Sequence, residues 1–433
     1  MDYQEALSYL EELSVFGIRL GLGRIERLLS LLEMPQSRYR TVHVTGSNGK
    51  GSVSAMVAGI LRSSAIHTGL YTSPHLHSCT ERIQVDGQPI EEREFADCLS
   101  AVKVYVDQMI AEGEECPTQF EVITAVAFFY FAIRHVEYAV IEVGLGGLLD
   151  STNVVHPEVA VITNVSFEHG DKCGGTLEGI ARHKAGIIKE GVPVVTAARG
   201  LPLTIIRQEA NEKNADIFVF GDEFTSKFLR MEDDNQVLEF TSPLLDFAGE
   251  PYELRLLSVH QVENSAVALM TAALLHNLDE RITLGAARRA FRVVSWPGRF
   301  ERMKIGGQTV LLDGAHNPDG IRALRTSLDT YFPAGRRIFL LGILRDKDID
   351  AMLQTLLRRE DEVILTEPLS RRAAAAKDVA DLARKYTPCV EACAADDEAL
   401  ERALERAGGK GCLIVAGSLY LVGDIRRRLL HRR

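Results

Sequence analysis

The run Val42-His43-Val44-Thr45-Gly46-Ser47-Asn48-Gly49-Lys50-Gly51-Ser52 most constrains what this chain can fold into. β-Branched residues lead into a glycine-rich turn, and an apolar-periodic segment (53–61) follows. That order predicts strand, phosphate loop, helix. Glycines let backbone N–H groups approach phosphate oxygens, and a helix N-terminus adds positive potential. Lys50 suits the β/γ-phosphates, and the Ser52 hydroxyl suits Mg²⁺. The spacing departs from the common G-x-x-x-x-G-K-[ST] loop. Val44 stands where its first glycine would be, and Gly51 separates Lys50 from Ser52. The residues imply a nucleoside triphosphate held by a different class of loop.

At 433 residues the chain exceeds one ordinary core, so two or three domains are expected. A net charge of −11 argues against general nucleic-acid binding, which needs a basic surface. A polyanionic substrate must then be held by local positive groups. The first twenty residues are acidic and amphipathic, unlike a secretory signal, and no apolar run reaches membrane-spanning length; 125–133 is too short. Seven scattered cysteines with no C-x-x-C pair suggest reduced cytosolic thiols, not a zinc knuckle or disulfide framework. A cytoplasmic protein is expected, with no nucleic-acid or membrane partner. The arginine-rich end (426–433) reads as the solvated end of a last helix.

Helical patterns alternate with short apolar strands, which argues for α/β with a mostly parallel sheet. Segments 139–143 and 159–163 read as buried strands, with weaker candidates at 194–196 and 217–220. Between 227 and 256 strict alternation suggests a small antiparallel patch on the edge of the first domain. Helices are expected at 260–275 and 282–291, before the break Trp296-Pro297-Gly298-Arg299. The domains are therefore drawn as 1–296 and 297–433. The second restarts the α/β pattern, with strands at 309–312, 337–341, 362–365 and 412–415. Its helices are expected at 320–328, 349–357, near 377–386 and from 419, which makes a smaller doubly wound, Rossmann-like domain. The alanine run 373–376 is read as plain helix.

Metal ligands beyond the phosphate loop belong at the carboxyl ends of strands. Glu142 lies there, before Gly144-Leu145-Gly146-Gly147, and a carboxylate suits Mg²⁺. An ion-paired strand-end carboxylate is the equal alternative. His169 follows the next strand, where a lone histidine is more often structural than a ligand. Lys184 reads by composition as a solvated helix lysine. The turn Asp313-Gly314-Ala315-His316-Asn317-Pro318 packs Asp, His and Asn between strand and helix, a dense polar turn that favours a site. Asn264 falls in the first turn of a helix, where its amide can read an adenine edge or simply cap. Arg299, just past the break, is placed to reach ATP, and clefts between domains are common small-molecule sites.

Further segments complete an ordered set. They include Gly17-Ile18-Arg19-Leu20-Gly21-Leu22-Gly23-Arg24-Ile25, Thr72-Ser73-Pro74-His75-Leu76 with Glu81-Arg82-Ile83, and Phe120-Glu121-x-x-Thr124-Ala125. Asp150-x-Thr152-Asn153, Lys184-Ala185-Gly186-Ile187, His260-Gln261-x-x-Asn264, Asp346-Lys347-Asp348 and Gly417-Ser418-Leu419-Tyr420 follow. With the phosphate loop, this set resembles the folate branch of the Mur ligase superfamily. That branch holds folylpolyglutamate synthases, either monofunctional or bifunctional with dihydrofolate synthase. The resemblance runs along nearly the whole chain. It implies a two-domain fold: a phosphate-loop ATPase domain with a mostly parallel sheet and small antiparallel patch, then a Rossmann-like domain.

The resemblance also implies roles. Gly46, Asn48, Gly49, Lys50, Gly51, Ser52, Asn264, Arg299 and Asp313 would bind ATP. Ser52, Glu142, His169 and a carbamylated Lys184 would hold two magnesium ions, and a monovalent cation is compatible with the family. Lys50, Lys184 and His316 would serve catalysis, while Ser73, Pro74, Arg82 and Phe120 would line the folate side. The implied partners are ATP, L-glutamate and folate or dihydropteroate, and the implied state is a monomer. The implied reaction joins glutamate to a folate carboxylate through an acyl phosphate, releasing ADP and phosphate. The segment 21–25 is of bacterial type, which favours the bifunctional form. Three positions depart from the family: Leu148 stands for an arginine, His183 for an acidic residue before Lys184 and, mildly, Ser47 for a threonine in the phosphate loop. The competing readings are a Mur-type ligase acting on a peptidoglycan precursor, which the 72–83 segment disfavours, and a phosphotransferase or NTPase, which the loop spacing disfavours.

Overall fold

The computed structural model describes residues 1–167, 172–242, 251–333, 335–408 and 411–432. The chain forms two compact units, one of Met1–Leu254 and Val262–Val294, the other of Arg255–Gln261 and Ser295–Arg433.

The first unit runs α1 (Tyr3–Leu13), α2 (Gly23–Leu31), β1 (Arg40–Thr45), α3 (Lys50–Ser63), β2 (Thr68–Tyr71), β3 (Ile83–Val85), β4 (Gln88–Pro89), α4 (Glu92–Ala111), α5 (Gln119–Ile133) and β5 (Tyr138–Glu142). It continues with β6 (Val159–Ile162), α6 (Leu177–Ala185), β7 (Val194–Thr196), α7 (Gly200–Glu212), β8 (Ile217–Val219), β9 (Thr225–Glu232), β10 (Asn235–Thr241), β11 (Tyr252–Leu254), α8 (His260–His276) and α9 (Leu284–Val293). The main sheet has the order β4-β3-β2-β5-β1-β6-β7-β8, parallel from β2 to β8, while β11-β10-β9 form a separate antiparallel sheet. All five residues of β5 and five of the six in β1 are buried, as expected for strands covered on both faces. From β1 the chain turns one way to β2, and β6 lies on the other side, so the order reverses beside β1. Open α/β sheets bind ligands at such a point. The sequence does not announce β2. It is four residues long with Gly69 inside, and a Cβ there would lie 2.9 Å from the Phe131 ring.

Helix α5 is apolar all round because it is buried in the core of this unit, against α1, α2 and α4. No described helix is long and apolar enough to cross a membrane. At its start the Glu121 carboxylate is 1% exposed and receives Thr118 N–H at 2.6 Å and Arg24 Nε at 3.1 Å. This pair ties the 17–25 segment to α5. Removing one partner of a buried pair leaves the other charge desolvated and alone. Arg24→Ala is expected to lower unfolding free energy by about 3 kcal/mol in urea titration, with Arg24→Lys recovering part of it.

The second unit runs β12 (Glu301–Ile305), β13 (Gln308–Leu312), α10 (Pro318–Tyr331), β14 (Arg337–Leu341), α11 (Ile349–Leu356), β15 (Glu362–Leu365), α12 (Ala376–Ala383), β16 (Cys389–Ala392), α13 (Asp396–Ala407), β17 (Cys412–Ala416) and α14 (Leu419–Leu430). Its sheet order is β12-β13-β17-β14-β15-β16, parallel except for β12. Separate apolar clusters fill the two faces. Three elements go unread in the sequence: β12, the outer strand β16, and α13. The β12–β13 hairpin turns at Gly306 and Gly307, with φ of 54° and 83°, where two residues in the left-handed region suit a tight turn. The alanine run 373–376 is not helix as expected. Ala373 bridges to Leu344, Ala374 N–H goes to Ile343 O at 2.9 Å, and α12 starts only at Ala376. Pairing with the loop after β14 overrides alanine's helix propensity. At the arginine-rich end, Arg426 is half-buried and bonds Glu301 at 2.8 Å.

Candidate active site

The phosphate loop sits at the end of β1, and α3 begins at Lys50 with Gly49 as its N-cap in the left-handed region, φ 88°. The loop is pinned by the segment that leaves β6. Ser47 N–H goes to Asn164 O at 2.8 Å, Asn48 N–H to Asn164 Oδ1 at 2.8 Å, and Thr163 Oγ1 to Asn48 O at 2.6 Å. Ser47 Oγ donates to Ser166 O and accepts Ser166 N–H at 2.9 Å. Thr163, Asn164 and Ser166 are therefore loop holders that the sequence reading missed; the polar run after an apolar strand is the signal that could have found them. Lys50 is half-buried, and its Nζ donates to Gly46 O at 2.7 Å and Ser47 O at 3.2 Å, which holds the cation across its own loop. Gly51 and Ser52 follow in the first turn of α3, with Ser52 2% exposed. Asn264, 3% exposed in α8, lies against the loop: a Cβ on Gly49 would meet its Oδ1 at 2.4 Å. The fold thus brings Gly46, Asn48, Gly49, Lys50, Gly51, Ser52 and Asn264 together.

Glu142 ends β5, next to β1, and is 4% exposed. The amide of Ser73 points at its Oε2, 3.3 Å away. The following turn is packed tightly. A Cβ on Gly144 would meet the Phe120 ring at 2.4 Å, and one on Gly147 would meet His183 O at 2.6 Å and Lys184 Cα at 3.3 Å. Thr45 Oγ1 bonds Gly146 O at 2.7 Å, and Leu148 N–H bonds His183 O at 2.7 Å. The glycines so let α5 and α6 close on the turn beside Glu142. Lys184 was expected to be solvated; instead it is 3% exposed, because α6 faces the turn and the sheet rather than water. His183 is pushed below its ordinary pKa by burial and by the charge of Lys184. Leu148 is half-exposed on this turn. Behind the turn, Asp150 accepts Leu145 N–H at 2.8 Å and Thr152 Oγ1 at 2.6 Å, and Thr152 Oγ1 contacts His43 Nε2 at 2.9 Å. Burial, then the charge of Lys189, holds His43 down at about 3, so it is a neutral core histidine.

The Ser73–Pro74 bond is cis, with Ser73 half-buried and Pro74 exposed. Glu81 gathers the amides of Leu76, His77 and Ser78 at 2.8, 3.2 and 3.0 Å and so folds this loop. Arg82 is turned within the loop, where its Nε donates to His75 Nδ1 at 2.9 Å. Burial, with Arg82 second, holds His75 at about 4. Phe120 stacks on Tyr71 with ring centres 6.3 Å apart. The expectation for His169 lies outside the described residues.

Ser52 and Glu142 offer hard oxygen donors, which suits Mg²⁺. Among the described residues no group of three His, Cys, Asp or Glu side chains could hold a metal.

In the second unit, Asp313 closes β13 and is 6% exposed. Its carboxylate accepts Phe300 N–H at 2.8 Å and Ala315 N–H at 2.9 Å. Burial raises its pKa, opposed by the charge of Arg299 and these amides. A Cβ on Gly314 would meet Arg299 Nη1 at 2.5 Å. His316 Nδ1 contacts Gly314 O at 2.7 Å, and Asn317 caps α10. The turn lies beside Gly417, whose amide bonds Ala315 O at 3.0 Å. Arg299, Asp313 and His316 therefore gather at the carboxyl end of the second sheet. His260 stands near Arg299 as well, held by Ser258 at 2.8 Å.

Comparison with known proteins gives this geometry a family. Residues 44–272 match the Mur ligase middle domain, and residues 298–419 match the Mur ligase, glutamate ligase domain. The dihydrofolate synthase/folylpolyglutamate synthase of Bacillus subtilis is 33% identical over 439 residues, covering 99% of each chain. The probable bifunctional folylpolyglutamate synthase/dihydropteroate synthase of Haloferax volcanii is 36% identical over 98% of this chain, which spans 50% of that protein. The Mycobacterium tuberculosis folylpolyglutamate synthase structure complexed with ADP and AMPPCP aligns with a TM-score of 0.88 at 32% identity, covering 99% of each chain. The loop, the Glu142 turn and the Asp313 turn thus occur in a chain that belongs to the folylpolyglutamate synthase/dihydrofolate synthase family of Mur ligases.

Proposed function

We propose that the protein is an ATP-dependent ligase that adds L-glutamate to folates, by tetrahydrofolate polyglutamylation and by conversion of dihydropteroate to dihydrofolate. The observation that carries the reading is the phosphate loop at β1, with Lys50 laid across it and Glu142 at the end of the neighbouring strand. The mycobacterial relative holds ADP and AMPPCP, and the names of the relatives supply the folate and glutamate. Residues 1–296 would bind ATP, and 297–433 would form the ligase part.

A carboxylate is a poor acyl donor, and transfer of the γ-phosphoryl group makes it an acyl phosphate. The glutamate amine then attacks the carbonyl carbon, the C–N bond forms, and phosphate leaves. Ser52 and Glu142, with His169, would hold Mg²⁺, which supplies charge neutralisation at the phosphates. Lys50 would turn from its loop carbonyls to phosphate oxygens, where positioned cations stabilise developing charge. Asn264 would meet the nucleotide beside Gly49, and Arg299, Asp313 and His316 are assigned to ATP as well. Ser73, Pro74, Arg82 and Phe120 would face the folate. Burial of Lys184 beside the Glu142 turn supports a site role, with carbamylation turning it into an oxygen ligand for a second cation. We further infer a cytoplasmic monomer.

The test is ADP release by purified protein with Mg-ATP and glutamate, offering dihydropteroate or tetrahydrofolate separately. Glutamate-dependent release with both acceptors is the expected result. Release with tetrahydrofolate alone restricts the enzyme to polyglutamylation, and no glutamate dependence with either overturns the reading.

A further inference from the structure

Helix α8 is entered through Arg255–Gln261, a segment that packs within the second unit, where Leu257 joins the core. In it Ser258 is fully buried with φ 113°, a region that a residue with a side chain rarely adopts. Such backbone persists where its surroundings over-determine it, and it clusters at functional sites.

The surroundings are a chain of hydroxyls whose direction can be worked out. Ser327, fully buried in α10, donates its proton to Ala323 O at 2.7 Å, one helical turn back. A hydroxyl has one proton to give. Ser327 Oγ must therefore accept in its other contacts, from Val259 N–H at 3.1 Å and from Ser258 Oγ at 2.6 Å. Ser258 has then given its own proton and must accept from His260 Nδ1 at 2.8 Å. Nδ1 carries the hydrogen, and in a neutral ring Nε2 carries the lone pair. The Gln261 amide nitrogen, a donor, lies 3.4 Å from Nε2, which agrees with that polarity but is longer than an ordinary N–H hydrogen bond, so a donor that comes closer takes the single lone pair. Burial, with the charge of Arg299 second, holds the imidazole at about 4, so the ring is neutral.

We propose that Ser258 and Ser327 are positioning residues that lock His260 in its Nδ1–H form, so that Nε2 accepts a hydrogen bond from an N–H or O–H group of the nucleotide near Arg299. The inference rests on the reading above that Arg299 and Asp313 serve ATP. Phosphate oxygens have no proton to offer such an acceptor, and an ammonium is disfavoured beside a guanidinium. A ribose hydroxyl or an amino group on the base is what remains.

The experiment is ¹⁵N NMR of the imidazole nitrogens in histidine-labelled protein, with His260 assigned through His260→Gln, alongside steady-state kinetics. Wild type should show Nδ1 protonated and Nε2 bare. Ser327→Ala removes the acceptor for Ser258, whose proton then turns to Nδ1, so the tautomer should reverse. KM for ATP should rise about tenfold, the weight of one hydrogen bond, with kcat within about twofold. Ser258→Ala should raise KM similarly, which guards against a folding defect peculiar to position 327. A wild-type ring protonated at Nε2, an unchanged tautomer in Ser327→Ala, or a reversed tautomer with unchanged KM each overturns the proposal. A wild type that binds no ATP removes the nucleotide reading, while the tautomer measurement still decides the relay.

Discussion

Lys50→Ala should lower glutamate-dependent ADP release about a thousandfold, the scale seen when a donor aimed at developing charge is removed. The variant should nevertheless fold. Lys50 is half-buried and its Nζ bonds Gly46 O and Ser47 O of its own loop, whereas the loop's shape rests on Asn164, Thr163 and Ser166. Its melting temperature should lie close to wild type. Glu142→Ala should cost activity on the same scale but behave differently otherwise. Its carboxylate also orients the Ser73 amide, so the variant should raise KM for the folate acceptor as well. Full activity in both variants would mean that chemistry occurs elsewhere on the chain.

Gly46→Ala should be nearly as severe, for a reason of space. Gly46 has φ 148°, and a Cβ there would fall 1.9 Å from Thr163 Oγ1 and 3.1 Å from Thr163 N. Thr163 is 1% exposed and its hydroxyl already bonds Asn48 O, so it has nowhere to retreat. The loop must move out of register with β6. We expect ATP affinity to fall at least tenfold and stability to drop by about 1–3 kcal/mol from the disfavoured backbone alone. The double variant Gly46→Ala/Thr163→Ala separates the two contributions. It removes the hydroxyl clash but leaves the backbone cost, so it should regain part of the stability and little of the affinity, as read by calorimetry. Complete recovery of both would show that the loop's conformation does not matter.

Much of the candidate site was legible because its pieces are contiguous. A β-branched run, glycines, a lysine and a serine in one stretch encode strand, loop and helix through local dihedral preferences and periodicity alone. The Asp313 turn and the Pro297–Arg299 break are legible for the same reason. Lys184 shows where that reasoning ends. Its helix has polar neighbours, so composition says solvent, yet the glycines at 146 and 147 let α6 approach until the lysine is covered. The 373–376 run fails likewise: alanine propensity is a fraction of a kcal/mol per residue, and a backbone bond to Ile343 outweighs it.

By itself the sequence determined the α/β class, the nucleotide loop and its departure from the kinase pattern, and the residue set that identifies the family. Those properties live in neighbouring residues and in the order of motifs. Only the tertiary structure decided that Asn264 abuts Gly49, that Thr163 and Asn164 hold the loop, that Lys184 is buried, and that Ser327 orients His260 through Ser258. Each of these joins residues separated along the chain; the first and third depend on where a missing Cβ leaves room, the others on who donates and who accepts once water is excluded. Periodicity carries no record of that.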